Sequence, residues 1–303
     1  MIAIDLGSNT LRVLQIDCKS GEFLYEYQKI VRTADNLIHT GVISVEVKER
    51  IIEAIREAAS HIDFSKDKIK AVTTEAMRRA KNNLEIIGEI YDRTGIRFEI
   101  IDGNTEARLT ISAVINRLKA LCIVTKNGFA MIDIGGASTE VAFVYNDEVV
   151  AQSFPIGIVT LAQAYPSLEM LKSALPGKLE PIYEFVTNIT KEKSSVDIAV
   201  ATAGTPTTVA AMKIGLDFET YEAKKINGMK LDFADMDVQL HRLLKMSEQM
   251  REVAVGTGRS ELIATGIVLF KALLELLGKK ECIVVDDGLR EGVALEGCKN
   301  SEG

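Results

Sequence analysis

Three short stretches carry residue types that suit chemistry on phosphate groups. The first is Asp5-Leu6-Gly7-Ser8-Asn9-Thr10, set between the apolar runs 2–6 and 11–16. Gly7 lets the chain turn with positive φ or lets a ligand approach the backbone closely. Ser8, Asn9 and Thr10 add side-chain donors beside backbone N–H groups, the combination that an anion needs. The second stretch, Asp133-Ile134-Gly135-Gly136-Ala137-Ser138-Thr139-Glu140, repeats this logic about one domain length later. In the third, "DIAVATAGTPTTVAAM", Gly204 and Thr205 lead from a strand into a helix, whose free N–H groups and positive dipole favour an anion. A recurring Asp–small-residue turn is better explained by a shared phosphate-binding task than by unrelated tight hairpins. Glu106, just after Gly103 near a predicted helix start, could face a substrate or could only complement the helix dipole.

The elements that position these residues alternate. Strands are predicted over 2–6, 11–17 and 22–32, then an amphipathic helix over 44–62 with Ser44 as N-cap. Val47, Ile51, Ile52, Ile55 and Ala59 make its apolar face. A strand over 69–73, a helix over 84–93, a strand over 97–101 and a helix over 105–121 follow. The second half is read with helices over 180–192, 234–247 and 259–278 and strands over 197–201 and 281–285. Such alternation implies α/β sheets with crossover helices, divided near residues 119–127 into domains 1–122 and 123–303.

Composition narrows the function classes. Apolar residues make up 47% of the 303 and charged residues 26%, ordinary for a globular protein. The net charge of −7 gives bulk electrostatics no means of recruiting nucleic acid or an acidic membrane. A polyanionic substrate therefore needs a local basic run such as Arg78-Arg79-Ala80-Lys81. No apolar run approaches the ~18 residues of a membrane helix, and no signal peptide is visible. Cys18, Cys122, Cys282 and Cys298 stand isolated in the sequence, which argues against zinc or iron–sulfur sites and fits a reducing cytoplasm.

Paired Asp–Gly turns on two α/β domains resemble the actin, sugar-kinase and heat-shock-chaperone ATPase superfamily. "VTTEAMRRAKN", "FEIIDGNTEARL", "MIDIGGASTE", "ATAGTPTTVAA" and "DDGLREG" together resemble the exopolyphosphatase / guanosine pentaphosphatase phosphohydrolase family in its short, two-domain form. That resemblance implies two ribonuclease-H-like domains with an interdomain cleft, the last helix packing back on the first domain. It also implies removal of terminal phosphates from polyphosphate or guanosine pentaphosphate, in a chain compatible with a homodimer.

Site roles follow from the same resemblance. Glu106 matches the glutamate that orients or deprotonates the attacking water. Asp133 and Glu140 would hold Mg²⁺ or Mn²⁺, with Asp5 a further candidate ligand. Gly7, Ser8, Asn9, Thr10, Gly135, Gly136, Ala137, Ser138, Gly204 and Thr205 would cradle phosphates, and Arg78 would clamp one in bidentate fashion. Ala137 departs from the family's usual third glycine and would be strained if that position required positive φ. A nucleotide-binding sensor with little turnover and a small-molecule kinase of the same superfamily stand as alternatives.

Overall fold

The computed structural model describes residues 1–146 and 148–299, which divide into two units. The first comprises Met1–Ala113 and the segment beginning at Asp287; the second is Val114–Asp286. The division falls within a helix, slightly before the boundary read from sequence, and returns the C-terminal segment to the first unit.

The first unit opens with β1 (Ile2–Leu6), β2 (Thr10–Ile16) and β3 (Phe23–Ile30), an antiparallel meander. Then come α1 (Leu37–Thr40), α2 (Val45–His61), β4 (Ile69–Thr73), α3 (Glu75–Arg79), α4 (Asn83–Thr94), β5 (Phe98–Ile100) and α5 (Gly103–Ala120). The sheet order is β3-β2-β1-β4-β5, with β1, β4 and β5 mutually parallel. That is the strand order expected of a ribonuclease-H-like unit. Every residue of β1 is buried, as its apolar sequence requires of a central strand covered on both faces. The Ser44 hydroxyl caps α2 by accepting from the Val47 N–H at 3.3 Å. Ala58 lies on the buried face of α2, whereas the Ala59 expected there is exposed.

The second unit holds β6 (Phe129–Ile134), β7 (Thr139–Val144), β8 (Val149–Phe154), α6 (Ile158–Ala164), α7 (Leu168–Glu192) and β9 (Ile198–Thr202). It continues with α8 (Gly204–Lys213), α9 (Ala223–Ile226), β10 (Lys230–Asp232), α10 (Phe233–Lys245), α11 (Glu248–Val255), α12 (Ile263–Leu276) and β11 (Glu281–Val284). Its sheet runs β10-β11-β9-β6-β7-β8, with β6, β7 and β8 again an antiparallel meander and β9 parallel to β6. α7 begins at Leu168, ahead of the predicted start at 180, although Pro176 and Gly177 disfavour a helix locally. The helix runs through both Pro176 and Pro181, its buried face of Leu171, Leu175, Leu179, Ile182, Val186 and Ile189 supplying the packing that outweighs two lost backbone bonds.

The final helix, α13 (Leu289–Lys299), belongs to the first unit, where Leu289, Val293 and Ala294 share a core with Ala3, Leu14 and Val72. Arg290 and Glu291 of "DDGLREG" are both buried; Arg290 pairs with Glu291 and reaches Glu26 at 2.7 Å. Two of the four cysteines that stand isolated in the sequence are paired in the fold. Cys18 and Cys298 form a disulfide that closes α13 onto the segment after β2. At a sequence separation of 280, only the fold brings the two together. Cys122 and Cys282 are free thiols. No described helix is long and apolar enough to cross a membrane.

Candidate active site

In the first unit, the turn after β1 closes with the Gly7 N–H donating to the Thr10 carbonyl at 3.0 Å. The Asn9 carbonyl accepts from Val31 and Arg32 at 2.9 Å each, and the Ser8 carbonyl from Ala34 at 2.8 Å. A planar trans peptide points its N–H opposite its C=O. Drawing those two carbonyls toward 31–34 therefore turns the Asn9 and Thr10 N–H groups the other way. None of residues 7–10 has positive φ, so Gly7 does not serve the turn through a left-handed backbone. A Cβ there would meet the Thr10 carbonyl oxygen at an ordinary 3.5 Å.

Glu106 occupies the first turn of α5 and is buried. Asp102 sets that turn: its carboxylate accepts from the Thr105 N–H at 2.7 Å and its carbonyl from the Glu106 N–H at 3.0 Å. The Thr105 backbone N–H, helped by the Thr105 hydroxyl, holds the Asp102 carboxyl below its usual range. Arg78, on α3, donates Nη1 to Glu106 Oε2 at 3.0 Å and to the Ile101 carbonyl at 2.5 Å. Its Nε and Nη2 both reach Glu75 Oε2, at 3.1 and 2.8 Å. Burial disfavours the charged guanidinium, but Glu106 and Glu75 outweigh it and raise the Arg78 pKa above the usual arginine value. The expected phosphate clamp is thus engaged with two carboxylates, an arrangement that the spacing of 78 and 106 gave no reason to foresee.

In the second unit, β6 and β7 place Asp133 directly opposite Glu140, a cross-strand neighbour. Ser153, opposite Glu140 on β8, donates its hydroxyl to Glu140 Oε1 at 2.6 Å. The turn between the strands closes with the Gly135 N–H donating to the Ser138 carbonyl at 2.9 Å. Its Gly135 and Gly136 carbonyls accept from Ile158 at 3.1 Å and Val159 at 2.7 Å, so the start of α6 braces this loop as 31–34 braces the first. Ala137 is buried without positive φ; the strain conditionally expected there does not arise.

Gly157, the residue before α6, stands against that loop. A Cβ on it would fall 2.4 Å from Gly136 C and O and from Ala137 N. Its φ of −140° suits any residue, so contact with the loop is what selects glycine. Gly157→Ala is expected to lower kcat/KM by about 10²-fold through loop displacement and to cost about 1–3 kcal/mol of stability by overpacking. Steady-state kinetics with a urea melt checks both. Unchanged kcat/KM in the folded variant would detach α6 from the site.

The third turn opens α8. Thr205 is buried, and its Oγ1 has no hydrogen-bond partner among the described residues; Gly266 of α12 lies so close that a Cβ there would sit 2.4 Å from that oxygen. The residue before the turn, Ala203, adopts φ 71° and ψ −172°, a region that only glycine enters easily. Strain there is about 1–3 kcal/mol. Ala203→Gly, after the entropic penalty of glycine, is expected to stabilise the protein by about 1 kcal/mol. An unmoved or lower urea midpoint would show that Ala203 is unstrained.

A family model described as the Ppx/GppA phosphatase family matches residues 13–301. The chain belongs to the Ppx/GppA phosphatase family. Exopolyphosphatase 2 of Mycobacterium tuberculosis is 26% identical over 322 residues, covering 97% of each chain. The solved structure of the Aquifex aeolicus member of the Ppx/GppA family is 29% identical, covers 100% of this chain and 98% of its own, and superposes with a TM-score of 0.72. An exopolyphosphatase structure from Cytophaga hutchinsonii has the same fold, with 22% identity, a TM-score of 0.85, and coverage of 99% and 97%.

In this Ppx/GppA chain the second unit brings two carboxylates together. Asp133 and Glu140 are adjacent hard oxygen donors, and Mg²⁺ is commonly held by one or two carboxylates together with substrate phosphates. Among the described residues, no group of three His, Cys, Asp or Glu side chains forms a ready metal site. Asp5 belongs to the first unit, where its cross-strand neighbours are Arg12 and Val72. Glu75, Ser153, Gly157 and Ala203 are the site neighbours that sequence reasoning passed over. Of these only Glu75 left a signal, its i,i+3 spacing to Arg78.

Proposed function

We propose that this chain hydrolyses the terminal phosphoanhydride of inorganic polyphosphate and releases orthophosphate. The observation that carries this reading is the buried Glu106, held by Arg78 at 3.0 Å on a unit that also carries a phosphate-type turn. Phosphoanhydride cleavage is mainly a matter of positioning and charge neutralisation around an oriented water. Glu106 would accept a proton from water as its oxygen attacks the terminal phosphorus and the bridging P–O bond breaks. The turns at 7–10, 135–138 and 204–205 would bind phosphate oxygens through N–H groups and hydroxyls. Mg²⁺, held by Asp133 and Glu140, would neutralise phosphate charge. The names of the matched exopolyphosphatases support polyphosphate as substrate. Guanosine pentaphosphate ends in the same type of bond and is the alternative substrate of this reading.

The net charge is −7, and with Arg78 engaged by carboxylates the basic run at 78–81 keeps only Arg79 and Lys81 to guide a long polyanion. Degradation of long polyphosphate is expected to pass through intermediate lengths on a time-sampled gel. Full-length chains accompanied only by orthophosphate would instead show processive cleavage. The functional test is orthophosphate release from polyphosphate, and separately from guanosine pentaphosphate, with Mg²⁺ present. Release from polyphosphate supports the proposal. Tight binding without release would indicate a sensor, and phosphate appearing only on an added acceptor would indicate a kinase.

A further inference from the structure

We propose that Glu75 is a positioning residue for Glu106, acting through Arg78. The inference rests on the reading of Glu106 given above and adds a residue which that reading does not use.

The guanidinium is a rigid plane with five N–H donors. In this structure two of its edges are engaged. The edge made by Nε and Nη2 closes on the single oxygen Glu75 Oε2, while Nη1 serves Glu106 Oε2 and the Ile101 carbonyl. Glu75 thus fixes the rotation of the guanidinium plane, and the plane in turn fixes where Nη1 meets Glu106. The Ile101 bond ties the same group to the backbone just ahead of the turn that carries Glu106. Arg79 Nε lies 4.0 Å from the other oxygen, Glu75 Oε1, so the two carboxylate oxygens face different arginines.

Burial makes this geometry matter. Side-chain exposure is 14% for Glu75, 19% for Arg78 and 11% for Glu106. An exposed i,i+3 pair on a five-residue helix would contribute little. Removing one member of a partly buried set leaves the others incompletely paired. Without Glu75, one edge of Arg78 loses its anchor, and a long side chain rich in rotamers is free to leave its place beside Glu106. The competing role is local: Glu75 is the first residue of α3, where an acidic side chain complements the helix dipole. That role would affect stability without affecting kcat.

The test is steady-state kinetics on polyphosphate for Glu75→Gln, Glu106→Gln and the double variant, with melting temperatures for each. Glu75→Gln keeps size and an acceptor but removes the charge. It is expected to lower kcat about 10- to 100-fold, the scale of a misplaced reacting group, with KM within about threefold of wild type. Added to Glu106→Gln it is expected to cost nothing further, because its effect passes through Glu106. Wild-type kcat in Glu75→Gln, or multiplicative losses in the double variant, would overturn the inference. If Glu106→Gln itself retained turnover, the reading of Glu106 would fail instead, and the single variants tell the two failures apart. Should Glu75→Gln be poorly folded, Glu75→Asp, which retains the charge on a shorter arm, is expected to show the same kcat loss in a weaker form; full kcat there, or a multiplicative loss when Glu75→Asp is combined with Glu106→Gln, would overturn the inference.

Discussion

Glu106→Gln is expected to lower kcat by roughly 10²–10⁴-fold, the usual contribution of a positioned general base. Glutamine keeps the shape and can still accept a hydrogen bond from Arg78, but it cannot take a proton from water at neutral pH. The Asp102 cap and the Arg78–Ile101 bond remain, so the first turn of α5 keeps its conformation. Substrate affinity is expected to change little, because the phosphate-type turns are untouched. The loss should therefore sit in kcat rather than KM, which marks an interaction made in the transition state. The measurement is a full kcat and KM determination beside a melting curve. Near-normal turnover in the folded variant would remove Glu106 from the chemistry.

Removing divalent metal is expected to abolish turnover, with Mg²⁺ or Mn²⁺ restoring it, since oxygen-only carboxylate ligands suit these ions. The expectation rests on Asp133 and Glu140 lying side by side across β6 and β7, with Ser153 donating to Glu140 Oε1. Asp133→Asn and Glu140→Gln should each raise the Mg²⁺ concentration for half-maximal rate. A metal titration of wild type and both variants checks this. Activity surviving exhaustive chelation would exclude the metal role, and wild-type titration curves in both variants would confine these carboxylates to the fold.

Much of this molecule is legible in its sequence, because local rules and global fold agree there. The meanders at β1–β3 and β6–β8 follow from apolar runs separated by small-residue turns, and Ser44 caps α2 as its position implies. Residues go unread where tertiary contacts decide. Pro176 suggests a helix end, yet α7 passes through it because the buried stripe from Leu171 to Ile189 outweighs the lost bonds. Cys18 and Cys298 meet only because α13 returns to the first unit. Gly157 looks like any loop glycine until the backbone of Gly136 and Ala137 is seen against it. Arg78 reads as a cation awaiting phosphate, whereas the fold supplies it with Glu75 and Glu106. The strain at Ala203 is invisible in a run of small residues and is revealed only by its backbone angles.

The measurement closest to the central claim is polyphosphate cleavage in oxygen-18 water with Mg²⁺, the products resolved by mass spectrometry. Water attack on the terminal phosphorus predicts orthophosphate carrying one solvent oxygen, released in step with shortening of the chain by single phosphates. Shortened chains without orthophosphate, orthophosphate free of the label, or no cleavage by the folded protein would contradict it.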